Sequence, residues 1–159
     1  MAVVENEILI RATPAQVWAV LTDTARYAQW NPRLKRIEGE LATGAVVTLH
    51  YAKDRPWLPS RFVVDVDVCA SERELRWSGP RNGGRRLLRA SHWFRLSPHD
   101  EGTLLVHGER FEGALARIVW AALGRPVAAN HADVNVAIRS RCESDVVSEH
   151  DGSAREGLC

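Results

Sequence analysis

The sequence has no long hydrophobic run. No segment approaches the roughly 18 consecutive apolar residues that a transmembrane helix needs. The opening residues MAVVE have neither the basic region nor the long apolar region of a secretory signal peptide. Both absences argue against stable membrane insertion and against secretion, so we expect a cytoplasmic protein.

Cysteine is scarce, with 3 residues in a chain of 159, at Cys69, Cys142 and Cys159. An odd number of widely spaced cysteines is typical of free thiols in a reducing compartment rather than of a disulfide framework.

An excess of charge of one sign is also absent. The chain has 21 basic and 20 acidic residues and a formal net charge of +1. This balance predicts no general attraction to nucleic acid or to anionic lipid.

The sequence contains no recognisable metal or nucleophile motif. Its six histidines form no His-x-His or HExxH pattern, the cysteines form no Cys-x-x-Cys pair, and there is no Gly-x-Ser-x-Gly elbow or phosphate-binding glycine loop. We therefore predict no metal and no cofactor; only histidines that meet in space would make a metal site.

What the chain does contain is the pattern of one globular domain. The hydrophobic fraction is 45% and the charged fraction 26%, and a chain of this length buries a substantial core. Ile8 and Ile10 alternate with Glu7, Leu9 and Arg11, as in a half-buried strand. Thr13 and Pro14 then predict a helix N-terminus, because the threonine can cap the first turn and a proline is tolerated there.

A second short helix is predicted over residues 25–30, capped from within residues 22–24 and ended by Asn31 and Pro32. Short segments rich in β-branched and aromatic residues follow, separated by turn residues. Together with the first strand they predict an antiparallel meander. The six predicted strands span residues 37–40, 45–51, 61–68, 74–78, 87–96 and 103–111.

The C-terminal region returns to a helical period. One apolar stripe contains Leu115, Ile118, Val119 and Ala122, and a second contains His131, Val134, Asn135, Ile138 and Cys142. Pro126 lies between the stripes and predicts either one kinked helix or two consecutive helices. The domain is expected to cover residues 1–143, with a mobile tail over residues 144–159, where no apolar period continues.

This order of elements resembles the START-like helix-grip superfamily, often called SRPBCC, and within it the polyketide cyclase/dehydrase-like branch. The residues that carry the resemblance are Thr13 to Trp18, Tyr27 to Pro32, Gly102-Thr103, His107 to Gly113 and the terminal helix around Asn135. The resemblance implies an α+β fold in which a curved antiparallel sheet of about seven strands grips a long C-terminal helix. It also implies a ligand cavity between the sheet and the helix.

The last two strands carry a candidate polar site. If their residue numbers sum to 201, His92 faces Glu109 and Phe94 faces His107 on one side of the sheet. His92, Glu109 and His107 would then be candidates for acid–base catalysis, with the carboxylate raising the pKa of the imidazole. The alternative is a structural pair that satisfies buried polar atoms.

Two loops carry weaker hypotheses. Arg81, Arg85, Arg86 and Arg89 surround a predicted hairpin, where they would either bind an anion at the cavity mouth or face water. Trp57 lies in a proline-flanked loop that is either a lid over the cavity or ordinary packing.

Since the resemblance implies a pocket and no catalytic motif stands out, the leading hypothesis is binding or carriage of a small hydrophobic molecule such as a lipid, polyketide or aromatic compound. The alternatives are a polyketide-type aromatase/cyclase or dehydratase, and a co-chaperone-like interaction module. The sequence leaves monomer and homodimer both open. The predicted ligand-binding residues are Trp57, Phe62, Trp77, Phe94, His107, Phe111, Leu115, Val119 and Ile138.

Overall fold

A seven-stranded antiparallel sheet and one long helix form the framework of the protein. The structure is a computed structural model that describes residues 1–53, 59–80 and 87–155, with side chains as far as residue 144. Its elements are β1 (Ala2–Ile10), α1 (Pro14–Thr22), α2 (Tyr27–Trp30), β2 (Leu34–Glu38), β3 (Val46–Tyr51), β4 (Arg61–Ala70), β5 (Glu74–Gly79), β6 (Arg89–His99), β7 (Gly102–Glu112) and α3 (Ala116–Arg155).

The strands are arranged in the order β1-β7-β6-β5-β4-β3-β2, and all neighbours are antiparallel. Strands β2 to β7 therefore form the predicted meander, and β1 joins it at the edge next to the last strand. The sheet packs one face against α3, which contacts β1, β7 and α1. This is the helix-grip architecture that the sequence analysis predicts.

The predicted cap of α1 is confirmed. The Thr13 hydroxyl accepts a hydrogen bond from the Gln16 amide (3.3 Å), and the Gln16 side chain accepts one from the Thr13 amide (2.9 Å). This reciprocal pair is a capping box, which satisfies two amides that the first turn leaves unpaired.

The predicted start of α2 is wrong. The helix begins at Tyr27, and the preceding Arg26 makes no capping hydrogen bond through its side chain. The segment is instead held by tertiary contacts, because the buried Tyr27 hydroxyl donates to the Leu21 carbonyl at 2.7 Å. Its end is as predicted, at Asn31.

The two halves of α3 differ in how well the sequence predicted them. His131, Val134, Asn135, Ile138 and Cys142 are all buried, so the second stripe faces the sheet. The first stripe does not, since Leu115 is 41% and Ile118 67% exposed. In this half of the helix the inward face begins at the buried Ala116, one residue after Leu115. The predicted stripe is therefore displaced by one residue from the face that packs against the sheet.

Pro126 lies inside one continuous helix, so the alternative of two consecutive helices is wrong. The helical backbone also continues past residue 144 to Arg155, where the sequence predicts a tail. The mobility of that tail stays a prediction, and residues 156–159 lie outside the described residues.

The Tyr27 hydroxyl generates a stability prediction. Tyr27→Phe leaves the buried Leu21 carbonyl without its donor, and it should lower the free energy of unfolding at pH 7 by about 1–3 kcal/mol. Burial raises the pKa of Tyr27 above its usual value. The stabilisation is therefore complete below about pH 10, where the phenol is neutral in both states, and falls as the pH rises beyond it.

Urea unfolding of the two proteins between pH 7 and pH 11 tests this. The stability difference should shrink at the alkaline end. A difference that stays constant or grows would contradict the account.

Candidate functional site

The pairing of β6 with β7 places the candidate polar residues on the inner face of the sheet. His92 lies opposite Glu109 and Phe94 lies opposite His107, as the sequence analysis predicts. Because alternate residues of a strand share a face, His92, His107 and Glu109 all point toward α3.

The helix supplies two further members of the site, His131 and Asn135, both buried. They are four residues apart and so lie on one face of α3. The sequence analysis places both on an inward stripe but does not assign either to the site. The sequence feature that could have assigned them to the site is their position on the same apolar stripe as Ile138.

Short polar contacts join the five residues, which we call the histidine cluster: His92, His107, His131, Glu109 and Asn135. His107 Nδ1 lies 2.8 Å from Asn135 Oδ1, and His107 Nε2 lies 3.0 Å from His92 Nε2. Glu109 Oε2 lies 3.4 Å from His131 Nε2 and 4.0 Å from His92 Nδ1. The His131 Nδ1 atom is buried and has no hydrogen-bond partner among the described residues.

Aromatic rings pack closely around the histidine cluster. Trp77 stacks on His92 with ring centroids 4.8 Å apart and planes 8° apart, and the Phe94 ring centroid lies 4.3 Å from that of His107. His107 and His131 themselves stack at 3.9 Å and 17°. These contacts keep the cluster in an apolar environment with little access to water.

Burial determines the charge state of two of the imidazoles. It lowers the pKa of His107 to about 3, with His131 adding to the effect and the Asn135 hydrogen bond opposing it. It also lowers the pKa of His92 well below its usual value, with His107 and His131 adding to the effect. The expectation that Glu109 raises the pKa of His92 is therefore wrong, because desolvation of the imidazolium and repulsion between imidazoles dominate.

A tyrosine from β3, a strand that is not adjacent to β7 in the sheet, also lies within electrostatic range of Glu109. Burial raises the pKa of Tyr51, and the negative charge of Glu109 contributes. Tyr51 lies at the end of β3 and contacts the Phe62 ring edge-on at 5.7 Å.

A groove of about 770 Å³ runs between β1 and the first half of α3. It is lined by Val3, Val4, Glu5, Trp120, Ala121, Ala122, Gly124, Arg125, Pro126 and Ala128. No residue of the histidine cluster lines the groove, but one lining residue, Val4, is the cross-strand neighbour of Glu109. Another lining residue, Ala128, accepts a hydrogen bond of 3.1 Å through its carbonyl from Asn6 Nδ2, and Asn6 is the cross-strand neighbour of His107.

The predicted ligand-binding residues are placed as follows. Trp77, Phe94, His107, Phe111 and Ile138 are buried in the interior, and Phe62 and Val119 are half-buried. Leu115 differs from the expectation that it points inward, because it is 41% exposed just before α3 begins. None of these residues is among those that line the groove, although the Phe111 ring lies 6.2 Å from that of Trp120.

Several of the loop residues lie outside the described residues, namely Trp57, Arg81, Arg85 and Arg86. Arg89 is described, and it contacts Ser78 Oγ at 2.5 Å and Asp67 at 3.5 Å.

Residues 1–143 match the model of a protein family described as polyketide cyclase / dehydrase and lipid transport. The chain belongs to this family. No curated protein matches its sequence.

Several solved structures have the same fold as this protein at low sequence identity. A protein from Chromobacterium violaceum is 12% identical with a TM-score of 0.70, over 89% of this chain and 96% of that chain. A protein from Thermus thermophilus is 16% identical with a TM-score of 0.68, over 91% and 99%. The Aha1 dimer from Colwellia psychrerythraea is 13% identical with a TM-score of 0.68, over 90% and 97%.

Within the described residues, no helix is both long enough and apolar enough to cross a membrane.

The contact between Asn135 and His107 generates a second stability prediction. Asn135→Ala removes the acceptor of a buried imidazole N–H, and we expect the free energy of unfolding to fall by about 1–3 kcal/mol. Asn130→Ala is the matched control on the same helix, because the Asn130 Oδ1 atom is buried without a hydrogen-bond partner among the described residues. Chemical unfolding of both variants provides the measurement, and an equal loss in the two would contradict the assigned hydrogen bond.

Proposed function

We propose that the protein binds a small molecule whose apolar body lies in the groove beside β1 and whose polar group points at the histidine cluster. The ligand class is that of the leading sequence hypothesis, a small hydrophobic lipid, polyketide or aromatic compound. The observation that carries the proposal is the position of the groove, because its lining residue Val4 lies opposite Glu109 in the sheet.

The size and lining of the groove support this. Its volume of about 770 Å³ falls within the range of about 300–1,000 Å³ that is usual for small-molecule sites. Trp120, Pro126 and several alanines offer an apolar surface. An indole adds a large contact area at a small cost in conformational entropy.

The histidine cluster supports a ligand with a polar group rather than a wholly apolar one. Burial of imidazoles and a carboxylate in an apolar interior costs free energy. Ionisable groups with strongly shifted pKa values beside a cleft are typical of functional sites rather than of structural packing. A ligand that reaches from the groove toward Glu109 would pair its polar group with this cluster.

A variant that fills the inner end of the groove tests the proposal. Val4→Trp places an indole beside Glu109, where the ligand would lie, and it should weaken binding at least tenfold. Val46→Trp is the matched control, since Val46 is 40% exposed on β3 and takes no part in the groove. A panel of fatty acids, aromatic polyketides and polyketide thioesters, titrated while tryptophan fluorescence is followed, supplies the Kd values.

Saturable binding that Val4→Trp weakens and Val46→Trp leaves unchanged supports the groove as the site. Equal affinities in the two variants would contradict it, as would a panel that shows no saturable binding at all.

Acid–base catalysis, as in an aromatase/cyclase or dehydratase, is a second candidate. The observation that favours it is the position of Glu109 Oε2 within 4.0 Å of nitrogens of both His131 and His92. Such a group could remove and return protons at a bound polyketide. Product formation that His92→Ala abolishes while binding persists would support it, and saturable binding without any product would end it.

An interaction module is the third candidate, and its surface would be apolar. Leu87, Leu115 and Ile118 are 56%, 41% and 67% exposed, and the Leu115 amide donates to the Leu87 carbonyl at 2.9 Å. The same surface could join two copies of the chain. Measurement of the mass in solution distinguishes a homodimer from a monomer.

A further inference from the structure

The polar neighbours of His107 and His131 determine which nitrogen of each of these two rings carries a proton. Asn135 Oδ1 can only accept, so His107 donates from Nδ1 and keeps a lone pair on Nε2. The Glu109 carboxylate lies 3.4 Å from His131 Nε2 and favours a proton on that nitrogen, which leaves the lone pair of His131 on Nδ1, the buried atom that has no partner among the described residues.

As a neutral ring, His92 carries one proton. Its Nε2 atom lies 3.0 Å from His107 Nε2, within hydrogen-bond distance, and its Nδ1 atom lies 4.0 Å from the Glu109 carboxylate, beyond that distance but close enough for electrostatic interaction. With the proton on Nδ1, facing the carboxylate, the lone pairs of His92 Nε2 and His107 Nε2 meet head to head. With the proton on Nε2, a lone pair faces a negative charge.

A cation between the nitrogens resolves this conflict. We propose that His92 Nε2, His107 Nε2 and His131 Nδ1 bind a divalent transition-metal ion, with Zn²⁺ the ion best suited to the site. In this arrangement the opposite nitrogen of each ring faces an oxygen: Asn135 Oδ1 at 2.8 Å for His107, and Glu109 Oε2 at 3.4 Å for His131 and at 4.0 Å for His92. Such outer partners are what orient imidazole ligands in metal sites.

The distances and the chemistry of the ligands agree with this assignment. Each of the three side chains offers a ligand atom, and these atoms lie within 4.8 Å of one another. Two nitrogens bound to tetrahedral Zn²⁺ at about 2.05 Å lie about 3.3 Å apart, close to the 3.0 Å between His92 and His107.

One movement is needed. The His131 ring stacks on His107 at 3.9 Å and 17°. Two parallel rings cannot both direct in-plane lone pairs at one ion, so the His131 imidazole must turn out of the stack. Three imidazole ligands leave the fourth position of a tetrahedral ion open, which is typical of catalytic rather than structural zinc.

The proposal is independent of the groove, since metal binding by the cluster needs no organic ligand. It is an alternative to direct acid–base catalysis, because a bound ion occupies the lone pairs that such catalysis would use. Binding of the metal and binding of a ligand can therefore fail separately.

The test uses the full chain without an affinity tag, stripped with a chelator and then titrated with Zn²⁺ against a chromophoric competitor. We expect one ion per chain, and His131→Gln should weaken the affinity at least tenfold. His50→Ala and His99→Ala are the matched controls, since these histidines lie outside the cluster, and they should bind as the wild type does. Replacement by Co²⁺ should give the visible absorption bands of a tetrahedral ion.

A wild-type chain that binds no Zn²⁺, or a loss in His99→Ala as large as that in His131→Gln, would overturn the proposal. If His131→Gln does not fold, the Tm of the wild-type chain with and without added metal ions provides a second test. Zn²⁺ should raise Tm, because a ligand that binds only the folded state stabilises it, whereas Mg²⁺ prefers oxygen ligands and should not. An equal response to the two ions would also overturn it.

Discussion

The pairing register between β6 and β7 is the constraint on which the rest of the structure depends. It places His92 opposite Glu109 and Phe94 opposite His107 on the inner face of the sheet. A slip of one residue between the two strands would put His92 and Phe94 on the opposite face of the sheet from His107 and Glu109. The separate pairing of β1 with the other edge of β7 places Val4 opposite Glu109 and Asn6 opposite His107. The groove and the histidine cluster therefore both depend on how β7 pairs with its two neighbours.

The inner face of the sheet divides into two environments. Near α1 it is conventional core, where Ile10, Leu105 and Ile138 are fully buried. Nearer the start of α3 it becomes polar, with the imidazoles and the carboxylate enclosed by Trp77 and other rings. The polar part is the costly one, because burial lowers the pKa of His92 and His107 and disfavours their charged forms. The groove opens beside this part, and for that reason we place binding there rather than in the apolar core.

Most of the sheet could be predicted from the sequence, and part of the site could. The turn after Ser97 is short, so alternation along its two strands determined the pairing of His92 with Glu109. Helix phase was harder: Leu115 and Ile118 form an apolar stripe that faces solvent, because the stripe alone does not say which side of the helix meets the sheet. The cluster itself needs His131 of α3 to meet two strands, a contact between segments that no local pattern encodes. The conflict over the single His92 proton could only be recognised from distances between atoms.

The central claim is that two imidazoles, His107 and His131, are held in specific tautomers by Asn135 and Glu109. Long-range ¹H–¹⁵N NMR spectra of the histidine rings at neutral pH, recorded on the metal-free protein, test it most directly. The account predicts that His107 carries its proton on Nδ1 and that His131 carries its proton on Nε2, with the other nitrogen of each ring unprotonated. A proton on Nε2 of His107, or a doubly protonated ring at either position, would contradict it.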